Sequence, residues 1–157
     1  MAERSERAHR LEQQRHVRHA LPPLYFCNTL CMYVAAQNGH GAVISTLIRA
    51  RGDVAKCRND GTSPIYVAAQ NGHASIIAQL AAAAGDVNKC DNDGASPIFV
   101  AAQKSSKDHA ACISQLLLSG ADPRSSFKGA SSLEVAGQQG HSESVRVLEA
   151  ALNFAMK

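Results

Sequence analysis

Tryptophan is absent from the 157-residue chain, and aromatic residues make up only 4% of it. A core without large rings has to be filled by Ala, Val, Ile and Leu, which suits closely packed helices. A dominant charge is lacking too. Sixteen Lys and Arg oppose 13 Asp and Glu, and a net +3 is no footprint for nucleic acid. Nor is there a run of 18 apolar residues. The uncharged stretch 28–48 is interrupted by Asn28, Gln37, Asn38 and His40, so no membrane-spanning helix and no membrane association are expected. The opening MAERSERAHR is charged where a secretion signal needs an apolar stretch. Five cysteines, an odd number, form no tight disulfide pattern, and the expected location is a reducing compartment, the cytosol or nucleus. What is present is 45% apolar residues, enough for the core of one domain or two very small ones.

Internal periodicity organises the chain. Val34-Ala35-Ala36-Gln37 recurs at 67–70 and at 100–103, each time 33 residues on, and a weaker copy, Val135-Ala136-Gly137-Gln138, follows 35 later. Asn-Gly-His stands at 38–40 and 71–73, Gln139-Gly140-His141 in the fourth copy. Ser-Pro precedes at 63–64 and 96–97, and Asn-Asp-Gly at 59–61 and 92–94.

GTSPIYVAAQNGHASIIAQLAAAAGDVN from Gly61 and GASPIFVAAQ from Gly94 resemble the ankyrin repeat family, over about residues 28–152. The resemblance implies an all-α solenoid of stacked helix-turn-helix units with short inter-repeat hairpin turns. Four repeats are expected, at about 28–60, 61–93, 94–128 and 129–157, within a domain spanning 24–157.

The residues make chemical sense of that unit. Ser63 and Ser96 are good N-caps, and Pro64 and Pro97 fall at the first helical position, where a missing N–H costs nothing. Paired alanines let inner helices approach. Gly72 can take the left-handed conformation that ends a helix. Ile76, Ile77 and Leu80, like Val43, Ile44 and Leu47 one repeat earlier, form the apolar side of an outer helix. Asp-Gly at 60–61 and 93–94 favours a tight turn. No single unit can bury its apolar face, so neighbours must stack.

The departures from the family pattern also carry information. Thr-Pro-Leu-His becomes Ser-Pro-Ile-Tyr at 63–66 and Ser-Pro-Ile-Phe at 96–99. The resemblance therefore implies loss of a histidine network, with Tyr66 and Phe99 packing in its place. Repeats one and four lack the Pro. Repeat three replaces Asn-Gly-His by Lys104 to His109, and a turn three residues longer is expected there. Ser144 and Glu149 of repeat four stand where repeat two has Ile76 and Ala81, as suits a terminal repeat whose outer face meets water. Residues 1–23 are set apart. The first 20 hold five Arg, three Glu and three His, and Pro22-Pro23 ends any helix there. They are expected to form a basic capping helix over repeat one, or a tail.

Candidate sites are few. No residues assemble the nucleophile, base and orienting group that catalysis needs, so no catalytic residue and no enzyme activity is expected. His40, His73 and His141 recur because the repeat does, and read as turn or helix-start residues bonded to backbone. His16, His19, Cys27 and Cys31 are competent zinc ligands, but His-x2-His before Cys-x3-Cys is an uncommon order and the repeat claims Cys31 for a helix. No metal and no cofactor are expected. Cys57 and Cys90 recur in successive turns. Stacked elements lie roughly 8–10 Å apart, too far for a bridge that needs Cα atoms within about 7 Å; two partly exposed thiols are expected.

What remains is surface. By resemblance, a protein or peptide partner binds the concave face formed by turn tips and inner helices, at positions that vary between repeats. These are Cys57, Asn59, Asp60, Thr62, Tyr66, Gln70 and Asn71 in repeat two. In repeat three they are Cys90, Asn92, Asp93, Ala95, Phe99, Gln103 and Lys104, and in repeat four Phe127, Glu134, Gln138 and Gln139. Tyr66 and Phe99 have two readings, as aromatic anchors for the partner or as filling for the groove the missing His leaves. Mixed charges at the tips argue against a partner chosen by charge alone. The expected function is non-enzymatic protein binding; the alternative is a structural or regulatory segment of a larger protein. Oligomeric state stays open.

Overall fold

A computed structural model describes residues 24–155, with side chains from Leu30 onward. Eight helices follow one another. Helices α1 (Leu24–Gln37), α3 (Pro64–Gln70), α5 (Pro97–Ala102) and α7 (Ser132–Gln138) form an inner row. Helices α2 (Gly41–Arg49), α4 (Ala74–Ala82), α6 (Lys107–Leu118) and α8 (Ser142–Ala155) form an outer row. Each inner helix packs on its own outer partner and on the inner helices beside it, and outer helices pack likewise. This is the expected helical solenoid. Its only strands among the described residues are β1 (Ser126–Phe127) and β2 (Ala130–Ser131), an antiparallel pair with Phe127 opposite Ala130. Lys128 and Gly129 join them with φ of 51° and 84°, the pair of positive φ values that a tight hairpin twist demands.

Local chemistry fixes where the helices start. Ser63 Oγ accepts from the Tyr66 N–H at 3.0 Å and Ser96 Oγ from the Phe99 N–H at 3.3 Å, and each Pro follows at the first helical position. Repeat four lacks the Pro and uses a reciprocal cap instead. The Glu134 N–H donates to Ser131 Oγ at 3.2 Å while Glu134 Oε2 accepts from the Ser131 N–H at 2.7 Å. Repeat one has neither device, and its inner helix runs back to Leu24, twice the length of α3.

Inner helices end on Gly39, Gly72 and Gly140, all at positive φ. Outer helices close with a paired-carbonyl motif. In α4 the Ala84 N–H reaches the Ala81 carbonyl at 3.0 Å and the Gly85 N–H the Leu80 carbonyl at 2.9 Å. The residue in the left-handed conformation is Arg51 (φ 58°) after α2, Ala84 (65°) after α4 and Gly120 (93°) after α6. Only the last is the residue type that adopts it without steric cost.

The core is a stripe along the stack. Ala36, Ala68, Ala69, Ala101, Ala102 and Ala136 are fully buried between inner helices, and Ile44, Ile76, Ile77, Leu80, Ile113, Leu116 and Leu148 line the outer row. Two expectations need correction. Repeat three lengthens its turn by one residue, 103–106 against 71–73, not by three; the rest of the addition lengthens its outer helix. Ser106 caps α6 by accepting from the His109 N–H at 3.4 Å, so Lys107, Asp108 and His109 form an extra turn ahead of Ala110, the counterpart of Ala74. Three added residues are close to one turn of 3.6, and as a capped helix they satisfy their own backbone. Ser144 does not stand on an open outer face either: it is 2% exposed. Its position faces the preceding repeat, as buried Ile76 and Cys112 show at the same place in repeats two and three, and as half-exposed Val43 shows in repeat one. Glu149, on the open side, is exposed as expected. The cap proposed for residues 1–23 lies outside the described residues.

Two substitutions test this packing. Ala69→Leu forces a larger side chain between inner helices and is expected to lower stability by about 1–3 kcal/mol in denaturant unfolding; no change would mean Ala69 does not face a neighbour. Ala84→Gly relieves the left-handed strain and should raise stability by about 0.5–1 kcal/mol, with a lower melting temperature as the contrary result.

Candidate functional site

The inter-repeat turns are built on carboxylates. At the first described tip the Gly61 N–H donates to the Arg58 carbonyl and the Arg58 N–H to the Thr62 carbonyl, both at 3.0 Å. Asp60 Oδ1 accepts from the Thr62 N–H at 3.0 Å and from the Thr62 hydroxyl at 2.5 Å. That hydroxyl, then the N–H, holds the Asp60 carboxyl below the usual carboxylate range. One repeat on, Asp91 Oδ1 accepts from the Asp93 and Ala95 N–H groups at 3.0 and 2.9 Å.

These turns are also tied to one another. The Asn92 N–H donates to the Asp60 carbonyl at 3.0 Å and Asn92 Nδ2 to the Asn59 carbonyl at 2.8 Å. Asn92 leans over Gly61 so closely that a Cβ on Gly61 would collide with it, which is why Asp-Gly stands there. At the far end of the turn, Asn88 Nδ2 donates to the Gly120 carbonyl at 3.2 Å and Asn88 Oδ1 accepts from the Asp122 N–H at 2.9 Å. A ring of histidines makes the third tie. His73 Nε2–H reaches the Gln37 carbonyl at 3.1 Å, His109 Nε2–H the Gln70 carbonyl at 3.0 Å, and His141 Nδ1–H the Ala102 carbonyl at 2.9 Å. A carbonyl only accepts, so each contact requires a proton on that ring nitrogen. The backbone-bonded reading holds for His73 and His141, with the acceptor in the repeat before; His40 shows no such side-chain bond among the described residues, and His109 joins the set.

Tyr33, Tyr66 and Phe99 occupy one repeat position, and each reaches into the next turn. The Arg58 guanidinium lies 4.9 Å from the Tyr33 ring centroid. Tyr66 Oη donates to Asp91 Oδ2 at 2.9 Å. Phe99 meets Phe127 edge to face with centroids 5.3 Å apart. Burial, then the bond to Asp91, pushes the Tyr66 hydroxyl above its ordinary value.

The candidate partner residues divide accordingly. Tyr66, Phe99 and Ala95 are at most 7% exposed and belong to the stack; the reading of the two rings as anchors for a partner gives way to the one in which they fill the groove. Cys57, Thr62, Cys90 and Phe127 are half-buried. Asn59, Asp60, Gln70, Asn71, Asn92, Asp93, Gln103, Lys104, Glu134, Gln138 and Gln139 are exposed. Some of these are engaged: Asn92 in the turn tie, Glu134 in its cap, and Asn71 through Nδ2 to the Val67 carbonyl at 2.8 Å. Gln70, Gln103 and Gln138 form a row of exposed amides at the C-terminal ends of α3, α5 and α7. Around them Lys56, Arg58, Lys89, Arg124 and Lys128 alternate along the chain with Asp60, Asp91, Asp93 and Asp122.

Cys57 and Cys90 are free thiols, each 3.5 Å from the carbonyl two residues before it. His16, His19 and the side chain of Cys27 lie outside what the structure describes. Among the described residues no group of three His, Cys, Asp or Glu is placed to hold a metal, and no helix is long and apolar enough to cross a membrane. The residues that sequence reasoning passed over are Asn88 and the acceptor carbonyls of the histidines. The histidine tie had a signal, since the His-to-carbonyl separation stays between 36 and 39 residues; Asn88 had none.

Alkylation separates the thiols. Cys112 is fully buried, and burial, then Asp108, pushes its thiol up to about 12. Iodoacetamide at pH 8 should label Cys57 and Cys90 in the native protein well before Cys112, read by peptide mass spectrometry. Equal rates would mean that the α6 core opens as readily as the turns.

A family profile described as ankyrin repeats (3 copies) matches residues 31–126. A comparison with curated proteins finds no match.

Proposed function

The chain belongs to the ankyrin repeat family, and on that basis we propose that it is a non-enzymatic module that binds a protein or peptide on the face made by its turn tips and inner-helix ends. Ankyrin repeats are in general protein–protein interaction modules. The observation that carries the finer reading is the division of labour between buried and exposed positions. The Ala, Ile and Ser-Pro positions repeat and are buried. The exposed pair at the inner-helix end changes from Gln70-Asn71 to Gln103-Lys104 to Gln138-Gln139. A rigid frame that holds a changing row of polar groups is suited to reading a partner, because little order has to be gained on binding.

The partner surface is polar and of mixed charge. Asn59, Asp60 and Asp93 at the tips join Gln70, Gln103, Lys104 and Gln138. Recognition there rests on hydrogen bonds to neutral amides with local charge pairs for register. Neither a nucleic acid nor a membrane fits a face with carboxylates at two of its three described tips, Asp60 and Asp93. Cys57, Cys90 and Cys112 are free thiols, which supports action in a reducing compartment, cytosol or nucleus.

A Gln70→Arg/Gln103→Glu double variant changes the row without touching the turn ties. A partner captured with the native protein and then purified should bind the variant at least about tenfold more weakly in calorimetry, with the melting temperature of the module unchanged. Equal affinity would assign binding to another face.

A further inference from the structure

The extra turn of repeat three leaves a notch of about 110 Å³ between the start of α6 and the start of α8. Ser105, Ser106 and Lys107 form one wall and His141, Ser142 and Ser144 the other. Ser144 is the informative side chain. It is 98% buried, given a relative exposure of 2%, and no group among the described residues bonds its hydroxyl. Among the described residues no sealed side-chain oxygen or nitrogen lacks a partner, so the Ser144 oxygen keeps an opening, and the notch is the opening it lines. Packing does not call for a hydroxyl at this place, where Ile76 and Cys112 stand in the two preceding repeats. A hydroxyl that opens on a notch from an otherwise buried side chain, with no protein partner, is left to solvent or to a ligand.

The surroundings fix the sign of that partner's charge. Two helices of 12 and 14 residues begin at the notch, so the positive ends of both dipoles and their first-turn N–H groups lie beside it. Lys107 adds a full positive charge. His141 is held through Nδ1–H to the Ala102 carbonyl, and Ser106 through its hydroxyl to His109 Nδ1 at 2.6 Å. Two carboxylates stand in these first turns: Glu143 lines the notch with its carboxylate held by Arg146 Nη1 at 3.3 and 3.4 Å, and Asp108 follows Lys107 but packs toward Gly72 of repeat two and does not line the notch. The volume is that of a few waters at about 30 Å³ each, enough for a tetrahedral oxyanion and too small for a nucleoside.

We propose that this notch binds a single phosphate group, with Ser144 Oγ and the first-turn N–H groups of α8 donating to its oxygens and Lys107 balancing its charge. The group comes either as the free ion or on a phosphoserine side chain.

The full chain, titrated at constant ionic strength with inorganic phosphate and separately with a short phosphoserine peptide, tests this by amide NMR. Amides at 105–108 and 142–145 should shift and saturate. Ser144→Ala should weaken the affinity about tenfold, the cost of one hydrogen bond to a charged group, and should fold because apolar residues fill this position in neighbouring repeats. Lys107→Gln, an exposed change, should weaken it about threefold. Tighter binding of the peptide than of the ion assigns the group to a partner side chain; equal binding assigns the free ion. Shifts that never saturate, shifts scattered over other Lys and Arg positions, or unchanged affinity in both variants would overturn the proposal.

Discussion

A helix of six or seven residues has more unsatisfied backbone groups at its ends than hydrogen bonds inside it. Alone in water it does not form. Three of the four inner helices are that short: α3, α5 and α7 have seven, six and seven residues. Much of the repeat answers this one constraint. Ser63, Ser96 and Ser131 occupy the free N–H groups at one end. Pro64 and Pro97 remove one of them. Gly72 and Gly140 let the chain turn back onto the last carbonyls at the other end. His73, His109 and His141 cap carbonyls at or near the ends of the inner helices one repeat away. The interior then needs only small residues, and the fully buried alanines let neighbouring helices supply the contact that propensity cannot.

Most of this frame was legible in the chain, because end chemistry is local. Ser-Pro, Asn-Gly-His and Asp-Gly each act within a few residues of themselves, and their recurrence every 33 residues sets the stacking. What escaped was the contact that crosses repeats. A spacing of 3.6 residues tells which side of α8 is apolar but not which neighbour a given position meets, so Ser144 read as open when it faces repeat three. Lys104 to His109 carries no apolar period, and a loop and a capped turn of helix look alike there until Ser106 is seen accepting from His109. The ties of Asn88 and Asn92 span 32 to 34 residues from single asparagines in turns that would tolerate almost any polar residue.

The same limit explains the divided outcome at the binding face. Variation between repeats was the guide to that face, and it mixes two kinds of position. Asn71, Lys104 and Gln139 vary and face water, each beside a glutamine that repeats at 70, 103 and 138. Tyr33, Tyr66 and Phe99 also vary, but each is matched to what stands ahead of it in the next turn: a guanidinium for one tyrosine, a carboxylate for the other, a second ring for the phenylalanine. That is covariation between neighbours, which one sequence cannot display. The aromatic position is where repeats recognise each other, and the amide row beside it is what is left to recognise anything else.

Each tie runs only from one repeat to its neighbour, yet the ties are unevenly shared. Repeat two is fastened on both sides, backward by His73 and forward by Tyr66 through Asp91 and by the Gln70 carbonyl that receives His109. Among the described residues repeat four is fastened to repeat three through His141 and the Ser96–Ser125 hydroxyl pair. A pull on the C-terminus therefore meets a hierarchy of resistance. Under tension the more lightly tied seam between repeats three and four opens before the seams around repeat two, so the amide row at α3 and α5 sits in the portion that survives longest.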